Sequence, residues 1–101
     1  MQVSVSGHQL AVTAALREHV LKKFARLTSH SDSIIHAQVT LSVIKQRQRA
    51  ESHLQLRNTV ISGSCEHEDM YAAIDLLVDK VDRQLIKHKE KQAGRKQRNF
   101  P

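Results

Sequence analysis

Lys80, Arg83, Lys87 and Lys91 follow one another at intervals of three and four residues. On a helix, at about 100° per residue, that spacing gathers the four cations along one side. His19, Lys22, Lys23 and Arg26 repeat the arrangement nearer the N-terminus. A row of ammonium and guanidinium groups carries out no covalent step. It binds anions, and a regularly spaced row suits the regularly spaced phosphates of a nucleic acid. The bland alternative is a solvated helix face laced with i, i+4 ion pairs such as Asp79–Arg83.

The charge balance separates these readings. The 101-residue chain has a formal net charge of +6. The cations from Lys80 to Arg98, offset by Asp82 and Glu90, account for all of it, and residues 1–79 sum to zero. A local excess of this kind favours a polyanionic partner, nucleic acid first and an anionic membrane surface second.

Other chemistries find less support. Cys65, His67 and Asp69 share a strand face by their i, i+2 spacing, but a structural zinc site needs four ligands, usually in paired Cys or His spacings. No metal or cofactor is expected. The seven histidines are scattered, with no nucleophile placed beside a base, so no enzymatic activity is expected either. Cys65 is the single cysteine and reads as a small hydrophobe in a reducing compartment. There is no apolar run long enough for a membrane span, and "MQVSVSG" lacks the pattern of a secretory signal. The expectation is a cytoplasmic protein without a membrane partner, a monomer when unbound.

The elements that must position the cations follow from periodicity. Met1, Val3 and Val5 alternate with polar residues as in a half-buried strand, and Gly7 breaks the pattern. Thr13 caps a helix whose Leu16, Val20, Phe24 and Leu27 share one face. "TSHSDS" is a polar connection. Ala37, Val39, Leu41 and Val43 mark a second strand, "KQRQR" a turn or mobile loop, and Ala50, Ser52, Leu54 and Leu56 a third strand. Ile61, Gly63 and Cys65 line a fourth. Asp69 caps a long last helix with an apolar arc of Ile74, Leu77, Val78, Val81 and Leu85.

The predicted fold is α+β, two layers in the order β-α-β-β-β-α, with a four-stranded mixed sheet and two helices on one face. Residues 1–91 form a single domain, and 92–101 are a short, basic, flexible tail. The other sheet face, with His36, Gln38, Thr40, His53, Gln55 and Ser62, should meet water. Two helices side by side, each with a basic flank, could merge those flanks around a shared groove. Phe24 is on a buried arc, Phe100 in the tail and Tyr71 at a helix start. Tyr71 reads as a packing residue with a polar tip, a role against RNA remaining open. An outer sheet face without aromatics disfavours base stacking of the RNA-recognition-motif type. Phosphate and shape recognition of folded RNA is left.

"EDMYAAID" with "DKVDRQLIKHKEK", and "ALREHVLKKFARL" in the first helix, closely resemble the hibernation-promoting factor and ribosome-associated inhibitor family, formerly called sigma modulation proteins. The resemblance spans residues 1–91. It implies binding to the small ribosomal subunit in the channel used by tRNA and mRNA, with ribosomal RNA met by helix cations. The matching positions are Arg17, Lys23, Arg26, Lys80, Arg83, Lys87, Lys89 and Lys91. Lys22 joins them on the helical-angle argument alone. The chain's length resembles that of a short hibernation-promoting factor, a branch that acts with a ribosome modulation factor to form inactive ribosome dimers, although its tail is more basic than that branch requires. Two other readings stay open: a general structured-RNA-binding domain, and a protein-interaction module that modulates a sigma factor.

Overall fold

Alternation of apolar and polar residues produces four strands, and the two amphipathic stretches produce helices. The structure, a computed structural model, describes residues 1–29 and 34–98, the side chains of Ser29 and of residues 92–98 excepted. In chain order these are β1 (Gln2–His8), α1 (Ala14–Phe24) with a 3-10 segment at Ala25–Ser29, β2 (Ile34–Ile44), β3 (Arg47–Leu56), β4 (Val60–His67) and α2 (Met70–Arg98). The sheet order is β1-β2-β3-β4. β1 pairs in parallel with β2, and the other pairs are antiparallel. This is the expected α+β arrangement. No helix among the described residues is long and apolar enough to cross a membrane.

Local chemistry starts the two helices as the sequence suggests. Thr13 Oγ1 accepts a hydrogen bond from the Leu16 amide at 3.2 Å, capping α1. Asp69 does the same for α2, accepting from the Tyr71 amide at 3.2 Å. The Asp69 amide itself donates to His67 Nδ1 at 3.0 Å, so this part of the tempting Cys65–His67–Asp69 trio is occupied in a helix start. Gly7, expected to break β1, stays in it and pairs with Leu41; a Cβ there would lie 2.1 Å from the Leu10 carbonyl oxygen.

Register puts the apolar sets on one face. Val3 and Val5 of β1 stand beside Ala37 and Val39 of β2, and Leu54 and Ile61 continue that layer across β3 and β4. Leu16, Val20, Phe24 and Leu27 from the first helical stretch are buried on it, as are Ile74, Leu77, Val78, Val81 and Leu85 from α2. Burying each large side chain contributes about 1.5–3 kcal/mol. Gly63 lets α2 approach closely, since a Cβ on it would lie 3.2 Å from Val81 Cγ2. On the opposite face, Ser4 Oγ and His36 Nε2 share a 2.9 Å hydrogen bond, Gln38 donates to Ser6, and His53 pairs with Ser62. Polar side chains there hold one another across strands.

Two further expectations are corrected. "KQRQR", expected as a turn or mobile loop, holds a turn of only Lys45 and Gln46: Ile44 pairs with Arg47, so Arg47, Gln48 and Arg49 belong to β3. Lys45 accepts a φ of 58° to close it. The helix also continues past Lys91 to Arg98, where the sequence reading placed a flexible tail. Gly94 costs a helix only about 1 kcal/mol, and no proline interrupts before Pro101. The rest of that tail, residues 99–101, and residues 30–33 of the polar connection lie outside the described residues.

Candidate nucleic-acid interface

The directions of the strands fix those of the helices. β4 runs parallel to β1 and β2, because two antiparallel steps restore the direction. α1 returns from β1 to the start of parallel β2. α2 folds back along β4, with Lys80 Nζ donating to the Ser64 carbonyl at 3.2 Å. Both helices therefore run the same way, and Lys22, Lys23 and Arg26 point to the same end of the molecule as Lys87 and Lys91. α2 also outruns the sheet. Its 29 residues span about 43 Å at 1.5 Å each, whereas the 8 residues of β4 span about 26 Å. Beyond Leu85 none of Ile86–Lys91 is buried, so those cations stand clear of the core.

The groove between the helices differs from the expected merger of basic flanks. The flank of α1 with His19 and Lys23 does face α2, but it meets Asp75. His19 Nε2 lies 2.8 Å from Asp75 Oδ1, and Lys23 Nζ lies 3.8 Å from the same oxygen. The Tyr71 ring packs edge-on against His19, with centroids 5.0 Å apart. Lys80 is about 140° around α2 from Asp75 at 100° per residue, and Lys87 and Lys91 share its side, over the β4 edge. The cations thus form two patches separated by the acidic flank of α2. A helix has two flanks beside its apolar arc, and local periodicity gives no reason for either one to face the neighbouring helix.

Arg17, Lys22, Arg26, Lys80, Arg83, Lys87, Lys89 and Lys91 are exposed, and Lys23 is half-buried. Lys22, Lys23 and Arg26 lie together on the α2-facing side of α1. Arg17 is on the other flank of α1 and stands apart. Arg83 lies on the outward ridge of α2. Lys89 shares the helical angle of Tyr71 and so belongs to the α1 side. Every proposed contact except Lys23 can reach a partner without unfolding any element. Among the described residues no three His, Cys, Asp or Glu side chains are grouped to hold a metal ion.

Residues 3–93 match the family described as Sigma 54 modulation protein / S30EA ribosomal protein. The chain belongs to this family. A ribosome hibernation promoting factor of Azotobacter vinelandii is 54% identical over 101 residues, 100% of this chain and 94% of that relative. The ribosome hibernation promoting factor of Escherichia coli K12 is 44% identical over 91 residues, 90% of this chain and 96% of the relative. The solved N-terminal domain of Thermus thermophilus Protein Y is similar at a TM-score of 0.81 and 35% identity, covering 87% of this chain and 99% of that one. A ribosomal subunit interface protein from Coxiella burnetii gives 0.85 at 29% identity, covering 89% and 99%. In this S30EA family member the matched segment includes both helix caps and both cationic patches. The His19–Asp75 tie escaped the sequence reading. Its one signal was that His19 falls within the basic arc of α1, where a hydrogen-bonding ring could serve as a link between helices.

Proposed function

We propose that this chain is a ribosome hibernation factor. It binds the small ribosomal subunit through the cations of its helix layer, meets ribosomal RNA phosphates there, and blocks the channel used by tRNA and mRNA. Acting with a ribosome modulation factor, it promotes inactive ribosome dimers. The observation that carries this reading is the pair of exposed cationic patches on helices that run in parallel, with the outer patch extending past the end of the sheet. Relatives named ribosome hibernation promoting factor support it.

The experiment is co-sedimentation with separated ribosomal subunits, alongside generic duplex RNA and a sigma factor. Selective retention on the small subunit is expected. Equal affinity for duplex RNA would favour a general structured-RNA binder. A sigma-factor complex that survives nuclease and high salt would favour a protein-interaction module.

A further inference from the structure

Among the described residues, two non-glycine residues have positive φ, Gln9 at 57° and Lys45 at 58°. They lie far apart in sequence, yet both line one cleft of about 590 Å³ on the outer side of the sheet. The cleft is at the end of the sheet away from the C-terminal turns of the helices. Lys45 takes this backbone conformation to close the β2–β3 turn, and Gln9 takes it directly after the end of β1.

The chemistry of the lining is specific. His8 pairs with Ser42 and Ser42 with Arg49, so the three make one row across β1, β2 and β3. Strands about 4.8 Å apart put the backbones of His8 and Arg49 about 10 Å from each other, with the Ser42 hydroxyl between them. A phosphate accepting charge-assisted hydrogen bonds of about 2.8 Å fits that gap. Lys45 adds an ammonium group from the turn. The turn is anchored, because Arg47 Nη2 donates to the Glu66 carbonyl at 3.4 Å. One carboxylate competes: Glu51 lies 3.7 Å from Arg49 Nη2. It leaves Lys45 and His8 unopposed within the lining and offers an acceptor to ribose hydroxyls or a base amino group. The volume exceeds that of a phosphate alone and falls within the range of small-molecule sites.

We propose that this cleft binds a nucleotide by its phosphate, either a free nucleotide or one residue of an RNA strand. Neither the cleft nor its residues belong to the helix surface.

The test is an amide chemical-shift titration of the whole chain with AMP and, separately, with a short single-stranded oligoadenylate. Shifts are expected at residues 8–9, 42–45 and 49. Lys45→Asn with Arg49→Gln should weaken AMP binding at least tenfold. Asparagine tolerates the left-handed φ, so this variant keeps the turn, and an unchanged spectrum elsewhere checks that it does. Similar affinity for the two ligands assigns the site to free nucleotides. An oligonucleotide bound more than tenfold tighter, with the same sensitivity to the double variant, assigns it to RNA. Shifts confined to α1 and α2, or AMP affinity unchanged in the variant, would overturn the proposal. No ribosome enters this measurement, so its failure leaves the helix-surface reading untouched.

Discussion

Asp75 Oδ1 on α2 accepts a 2.8 Å hydrogen bond from His19 Nε2 on α1. One acidic side chain thereby joins the two helices and holds the α1 flank that carries Lys23 against its neighbour. It also sets negative charge in the groove between the two helices, which makes its removal informative for both stability and binding.

Asp75→Ala should destabilise the fold by about 0.5–1 kcal/mol. The tie is a single charge-assisted bond, and the Asp75 side chain is 47% exposed, so solvent screens it. Binding to small subunits should hold or tighten, because Lys23 is released to phosphate. Urea denaturation and co-sedimentation measure the two effects. A tenfold loss of binding in a folded variant would show that the groove itself needs Asp75.

Position should matter more than net charge. Lys87→Glu with Lys91→Glu reverses two cations on the part of α2 that stands clear of the core. Arg47→Glu with Arg57→Glu makes the same change of formal charge away from the helices, at the start of β3 and just beyond its end. The helix pair should lose most small-subunit binding, because attraction becomes repulsion at fixed positions. The other pair should lose less. Sedimentation at one salt concentration compares them, with circular dichroism as the folding control. Equal losses would reduce the interaction to bulk charge.

Affinity for the small subunit should fall steeply with salt. If about six phosphates are neutralised, log K against log salt should have a slope of roughly −4 to −5. A binding isotherm measured across a range of salt concentrations gives the slope, and a flat line would rule out phosphate contacts as its basis.

The two packed glycines should differ in their tolerance of a methyl group. Gly7→Ala places a Cβ 2.1 Å from a backbone carbonyl oxygen, whereas Gly63→Ala meets Val81 Cγ2 at 3.2 Å. A side-chain methyl can shift by a few tenths of an ångström, and a turn carbonyl cannot without rebuilding the turn. Gly7→Ala should cost roughly 2 kcal/mol or more, and Gly63→Ala about 1 kcal/mol. Thermal unfolding of both variants tests the order.

Ser52→Ala should be neutral or stabilising by up to about 1 kcal/mol. Ser52 is fully buried in β3 and its hydroxyl has no hydrogen-bond partner. Removing an unsatisfied polar group from a core relieves a desolvation cost that no bond offsets. Chemical denaturation reads the change, and a loss above 1 kcal/mol would mean that the hydroxyl is satisfied in solution.

Much of this molecule was legible in local pattern. Val3 with Val5, and Ala37 with Val39 and Leu41, announced strands and their inner faces, because alternation with a period of two leaves no other way to bury one side. Thr13 and Asp69 announced helix starts, since short acceptor side chains before an apolar run satisfy otherwise orphaned amides. The cations of both helices were assigned to exposed flanks on the same grounds, and among those with described side chains Lys23 alone turned out half-buried.

Local pattern could not say which flank faces which neighbour. Asp75 and Lys80 border the same apolar arc from opposite sides, and periodicity treats the two borders alike. Strand order and the direction of α2 along β4 turn Asp75 toward His19 and Lys80 toward Ser64. The turn at Lys45 was hidden for a similar reason. Neither glycine nor asparagine marks it, and the ladder between Ile44 and Arg47 forms because the neighbouring strand holds the chain in register. That pairing carries Arg49 to the row of His8 and Ser42, residues whose separation in sequence gives no hint of their meeting. Contacts between distant segments depend on how whole elements pack, and no single stretch of the chain carries that information.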